Sequence, residues 1–186
     1  EALRMLKAGN ERYVKDQSKF PNRGRERREM LSSKQKPYAI ILSCSDSRVP
    51  PEIVFDQGIG DLFVVRVAGN VIDPVVLDSI EYAALHLDSS VIVVMGHENC
   101  GAVNAVVEGQ TEDVEAVARL IQPAVDLARK NDSKNLLHAS IIENANLMKQ
   151  KLLRTPMLRK FTQKGHMDIV SAYYSFETGK VYFLDD

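Results

Sequence analysis

Three apolar runs of strand length do most to limit what this chain can fold into. They are YAIILS at 38–43, DLFVVRVAG at 61–69 and SVIVVMG at 90–96. None alternates polar with apolar residues, and continuous runs suit strands buried on both faces of a parallel sheet covered by helices. The intervening segments carry helical spacing. Asp73 offers an N-cap with Pro74 at the first helical position, and Leu77, Ile80, Ala84 and Leu87 then form one stripe. Residues 113–131 read as a helix that Pro123 should kink or split. Residues 133–152 read as another, with Leu136, Leu137, Ile141, Ala145 and Met148 turned inward. An amphipathic helix is expected over 1–16 from Leu3, Leu6, Tyr13 and Val14, followed by a solvated, arginine-dense arm over 22–30. Residues 167–186 hold two strand-like runs around Glu177-Thr178-Gly179-Lys180, a hairpin.

The expected fold class is α/β, a mostly parallel central β-sheet flanked by helices with an antiparallel edge strand from the C-terminal hairpin. No repeat or linker divides the chain, so 1–186 reads as one domain. Charge argues against two classes of partner. With 24 basic and 25 acidic residues, nothing draws the chain to nucleic acid or to a membrane surface. Its apolar runs also fall short of the roughly 20 residues that span a bilayer. A cytoplasmic location is expected, or a periplasmic one if a leader precedes Glu1.

Ligands of parallel sheets gather beyond the carboxyl ends of the strands. CSDSR (44–48) follows the first run and HENC (97–100) follows the third. If those strands are neighbours, Cys44, His97 and Cys100 converge. That would bring both cysteines of the chain and one of its four histidines to one place. Two thiolates and an imidazole suit Zn²⁺, and three protein ligands is the number that leaves a position for water. Asp46 and Arg48 have two readings. They form a salt bridge that shapes a loop, or Arg48 holds the carboxylate off the metal while Asp46 accepts a hydrogen bond from metal-bound water. Two rivals remain at this point. One is a zinc-stabilised binding module with Asp46 as permanent fourth ligand, the other a metal-free redox pair of Cys44 and Cys100.

The segments CSDSRVPPE, FVVRVAGN and GHENCGAV, in that order and spacing, resemble the β-class carbonic anhydrases. The likeness extends to ALRMLKAGNERYV near the start, SIEYAALHL at 79–87 and the closing strand pair. It implies a zinc hydro-lyase that converts CO2 reversibly to bicarbonate and a proton through zinc-bound hydroxide. One Zn²⁺ per chain would be held by Cys44, His97 and Cys100, with Asp46 and Arg48 as the catalytic dyad and the Gly101 N–H near the substrate. Gln35, Phe63 and Tyr82 would line the pocket, with Ala68 where the family usually has valine. Ile41 stands where the family's self-closing type carries tryptophan, so the resemblance is to the open, plant-like subtype. Glu98 stands where many relatives have serine or threonine. The resemblance further implies a homodimer or dimer of dimers with the active site at the interface, the helical arm 1–34 packing on the partner. Hydrolysis of carbonyl sulfide or carbon disulfide on the same zinc site is the alternative activity.

Overall fold

Residues branched at Cβ pack well on a pleated surface, and the valine- and isoleucine-rich runs become strands. In the computed structural model, which describes residues 1–184, these are β1 (Ala39–Ser43), β2 (Leu62–Arg66) and β3 (Val91–His97). With β4 (Asp168–Tyr174) and β5 (Val181–Phe183) they form one sheet of order β2-β1-β3-β4-β5. The first four strands run parallel and β5 returns antiparallel to β4. This is the expected architecture, although Asp185 and Asp186 of the expected hairpin segment lie outside the described residues.

Central position explains burial. Every residue of β1 and β3 is buried. By contrast β2 is an edge strand, half-buried from Leu62 to Val65 and exposed at Arg66. Within one chain, then, the expectation that 61–69 is buried on both faces is not met, because no neighbour covers the open side of β2.

Helices cover the sheet. The chain forms α1 (Ala2–Val14), α2 (Arg25–Met30), α3 (Pro51–Val54), α4 (Pro74–His86), α5 (Gly101–Glu108), α6 (Glu115–Lys130), α7 (Leu136–Arg154) and α8 (Pro156–Gln163). Helix α4 lies against β1 and β2, while α7 lies against β3 and β4 with α6 packed on it. The Asp73 carboxylate accepts from the Val76 amide at 2.8 Å, the cap read from the sequence. The buried stripe of α4 is Val76, Ile80, Ala83 and Ala84, one position round from Leu77. Pro123 neither splits α6 nor ends it. Both Pro123 and Arg119, whose carbonyl loses its partner, face solvent, so water can replace the missing hydrogen bond. Helix α8 was not expected. Among the described residues no helix is long and apolar enough to cross a membrane.

The N-terminal arm is tied to its own chain by buried polar groups. Gly9 lets α1 touch the backbone, since a Cβ there would run into the carbonyl of Phe55. Asn10 donates to the carbonyls of Val54 (3.1 Å) and Gly179 (2.9 Å) and accepts from the Val181 amide (2.8 Å), pinning α1 to the hairpin. Asp56 accepts from the Lys19 and Phe20 amides, both at 3.0 Å, and from Arg12 at 2.7 Å. Asp61 takes Asn22, Arg27 and the Gly58 amide. Burial pushes Asp56 up, but these amides and the guanidinium outweigh it and hold the carboxyl below its ordinary value.

A carboxyl whose pKa is depressed by folding stabilises above its unfolded pKa and stops doing so as pH falls through the folded value. Asp56→Asn should therefore cost about 2 kcal/mol at pH 7, the worth of hydrogen bonds to a buried charge. In urea titrations the gap to the parent should narrow below about pH 4, where unfolded aspartate protonates. A gap independent of pH would refute the charge as its source.

Candidate metal centre

The β1–β3 register brings the motif residues together. Ser43 pairs with Met95, so Cys44 leaves β1 beside the end of β3, whose last residue is His97. Asn99, at φ 50°, makes the tight turn that returns Cys100 to the same spot as N-cap of α5. The two sulfurs and an imidazole nitrogen lie within 4.8 Å of one another, and all three residues are buried. Among the described residues this is the one group of three or more His, Cys, Asp or Glu able to hold a metal.

The imidazole is oriented by its own backbone. His97 Nδ1 lies 2.9 Å from the Glu98 carbonyl, which can only accept, so Nδ1 carries the hydrogen. Its Nε2 is left as a bare acceptor, buried and without a hydrogen-bond partner. That is the tautomer a metal ligand needs.

The thiols are coupled. Cys100, with the amides of Gly69 and Asp46, brings Cys44 down to about 4 against the opposing effect of burial. The Gly69 N–H donates to Cys44 Sγ at 3.3 Å from a turn at φ +67°, where any Cβ would also crowd Ile121. Cys100 is pushed up by its neighbour Cys44 and by burial, although the Val103 and Ala102 amides at the start of α5 act the other way. One thiol thus ionises readily, and its charge opposes ionisation of the other. Two sulfurs, a free imidazole lone pair and this electrostatic frustration fit a borderline-soft dication such as zinc, which would relieve the repulsion.

Beside the trio sits a carboxylate already engaged. Arg48 grips Asp46 through Nε to Oδ1 (3.0 Å) and Nη2 to Oδ2 (2.8 Å), and the Arg48 amide also donates to Oδ1 (3.0 Å). These bonds, led by the Arg48 side chain, hold Asp46 well below the usual carboxylate range. Its Oδ2 lies 3.9 Å from His97 Nε2. The loop is braced from behind by Arg66, which donates to the Cys44 carbonyl (3.0 Å) and the Asp46 carbonyl (2.6 Å). Sequence reasoning missed Arg66; the signal was there, an arginine inside an otherwise apolar strand run.

Of the residues singled out in the sequence, Cys44, Asp46, Arg48, His97 and Cys100 are brought together. Gly101 opens α5 next to them, and Ala68 precedes the Gly69 amide that contacts Cys44. Gln35, Phe63 and Tyr82 lie on the outside of the chain, in an exposed loop, on the edge strand and on the open face of α4. Tyr82 rests there against His86, ring centroids 5.1 Å apart.

The family profile described as carbonic anhydrase matches residues 39–181. A carbonic anhydrase of Mycolicibacterium smegmatis is 39% identical over 97% of this chain and 90% of its own length. Carbonic anhydrase 2 of Mycobacterium tuberculosis is 37% identical over 99% of this chain and 92% of its own length. Among solved structures, the β-carbonic anhydrase CcaA superposes with a TM-score of 0.80 at 26% identity, covering 98% of this chain and 95% of that one. A tetrameric β-carbonic anhydrase of Sordaria macrospora gives 0.74 at 22% identity over 85% of each chain, a likeness of fold.

Cys100→Ser replaces a potential thiolate by a neutral hydroxyl. Apparent zinc affinity, read by chelator competition, is expected to fall by at least about 100-fold. Unchanged affinity in a folded variant removes Cys100 from the ligand set.

Proposed function

Because this chain belongs to the β-class carbonic anhydrases, we propose that Cys44, His97 and Cys100 hold one zinc ion and that Asp46 and Arg48 serve the reversible hydration of carbon dioxide beside it. In that reaction a water oxygen bonds to carbon, one C–O π bond opens onto oxygen, and a proton passes to buffer. When bound, the ion supplies the Lewis acidity that makes water nucleophilic near neutral pH. The observation that carries the reading is a trio of inward-facing soft ligands with an ionised carboxylate alongside, held by Arg48.

The residues divide the work. Arg48 occupies both oxygens of Asp46, which keeps the carboxylate from swinging into the trio and favours the open subtype. Held ionised, Asp46 can only accept, so it takes a hydrogen bond from the attacking water and turns a lone pair of that water toward carbon. The Gly101 amide, in the first turn of α5, has no acceptor within its helix and suits the negative charge growing on a bicarbonate oxygen. Gln35 would hold an oxygen of the same ligand. Phe63, Ala68 and Tyr82 would give dry walls that admit CO2.

A second copy of the chain completes that pocket, the whole of 1–186 acting as one domain in each protomer. Supporting this, β2 is half-open, and α4 presents Val75, Tyr82 and Leu85 to solvent, each at least half exposed. Helix α1 keeps Met5 and Val14 on its outer side for a partner even though Leu6 and Asn10 bind its own chain. The Sordaria macrospora neighbours are described as tetrameric.

Two outcomes are expected. Zinc-loaded protein should hydrate CO2 rapidly in stopped-flow assays, while Asp46→Asn keeps its zinc and loses about 100-fold or more in kcat. Full metal content without turnover in the parent would overturn the activity, and an undiminished variant the role of Asp46. Separately, Leu85→Arg should weaken self-association by about tenfold or more in sedimentation equilibrium, since burying an unpaired charge is costly. A monomeric parent would refute the shared pocket.

A further inference from the structure

The hairpin between β4 and β5 reaches into the site, and nothing in the motifs anticipates it. Glu98 follows the ligand His97, and its Oε2 accepts three hydrogen bonds from this turn. They come from the Phe176 amide at 2.7 Å, the Ser175 hydroxyl at 3.0 Å and the Glu177 amide at 3.2 Å. In return the Glu98 amide donates to the Tyr174 carbonyl at 2.8 Å. A serine or threonine at position 98 would be too short to gather all three donors.

What this clamp presents is the ring of Phe176. The Arg48 guanidinium carbon stands 4.3 Å from its centroid, and the His97 ring meets it edge-on at 5.5 Å. Tyr174 supports it from another side at 5.4 Å and 89°, itself joined to α1 through the Tyr13 hydroxyl at 3.2 Å. Arg48 needs such support. Its side chain is 53% exposed, and an exposed ion pair alone holds a long side chain weakly. The remaining contact of its guanidinium is a long one, 3.4 Å from Nη2 to the Asn99 carbonyl. A guanidinium over an aromatic face gains attraction and loses freedom at once.

Resting on the carbonic anhydrase reading for its functional consequence, we infer that Phe176 is a positioning residue for the Asp46–Arg48 pair: its ring, set by Glu98, is the platform on which Arg48 holds Asp46 clear of the zinc ligands. Phe176 acts on the reaction through Arg48, and leucine or methionine in its place keeps an apolar neighbour for the His97 ring. Loss of the ring therefore lowers turnover while leaving metal retention and KM for CO2 in place.

The test uses Phe176→Leu and Phe176→Met, which keep bulk without the ring, and Phe176→Tyr, which restores it. Either apolar variant suffices if the other folds poorly. One readout needs neither metal nor activity: the Arg48 Nε–H resonance in ¹H–¹⁵N spectra. Ring-current shielding should place it upfield in the parent and in Phe176→Tyr, and it should move downfield in Leu or Met. The second readout is kinetic. With zinc content equal to the parent, kcat should fall about tenfold in Leu or Met with KM unchanged, and recover in Tyr, the signature of a misplaced group and not of lost binding. An unmoved Arg48 resonance, an unchanged kcat, or a fall that Tyr does not rescue overturns the platform. An inactive zinc-loaded parent defeats the activity instead, and the Arg48 resonance then still decides whether Phe176 holds the guanidinium.

Discussion

Everything in the site depends on the pairing of β1 with β3. Ser43 stands opposite Met95 in two strands buried on every face, so neither can slide without exposing a valine–isoleucine core. A one-residue slip would reverse every side chain on the moved strand. Locked in that register, the first residue beyond β1 is Cys44, while β3 runs two residues further before the Glu98–Asn99 turn. The geometry of the trio is thus set by hydrophobic burial in the sheet. The polar residues need only occupy the ends of strands that are already fixed.

Upon that frame the chain stores electrostatic tension. Two buried thiols near contact cannot both ionise without a cation, and His97 Nε2 is buried with no partner. An unsatisfied buried polar atom costs stability; a bound dication would return that cost and so couple metal binding to folding. Asp46 would be a natural fourth ligand in such a field. It is withheld because Arg48 satisfies both its oxygens, because Arg66 anchors the Asp46 carbonyl from behind, and because Phe176 sits under the guanidinium. An open fourth position on a bound metal would therefore depend on three supports converging on one carboxylate.

The convergence of Cys44, His97 and Cys100 was legible in the sequence because they come in two short motifs, each directly after an apolar run. The supports were not, for a physical reason. Phe176 and Glu98 meet only through the hairpin, and no periodicity in SFETG marks an aromatic ring as bound for another strand's end. Pro123 was expected to kink or split its helix, and the split does not occur: the residue sits on the solvent face, where water can replace the lost bond. Helix α8 had its start signal in Thr155-Pro156, yet it buries a single side chain, Leu158, too little for a visible stripe.

The misreading of β2 says the most about the intact protein. Phe63, Val64 and Val65 form a run whose composition suits burial on both faces, and one chain leaves them half-open. The opposite edge of the sheet differs: β5 has only three residues, with Lys180 just before it and Tyr182 at its centre, a short edge beside a charge of the kind that resists further association. No such protection guards β2, and α4 beside it adds Val75, Tyr82 and Leu85 to the same apolar exposure. Apolar patterning reflects the burial a segment has in its working assembly, whereas a single chain reports only the burial it can provide for itself. The two disagree at β2 and α4, which is what a face covered by a second copy would produce. Phe63 and Tyr82, expected from the sequence to line a pocket, lie on those two elements.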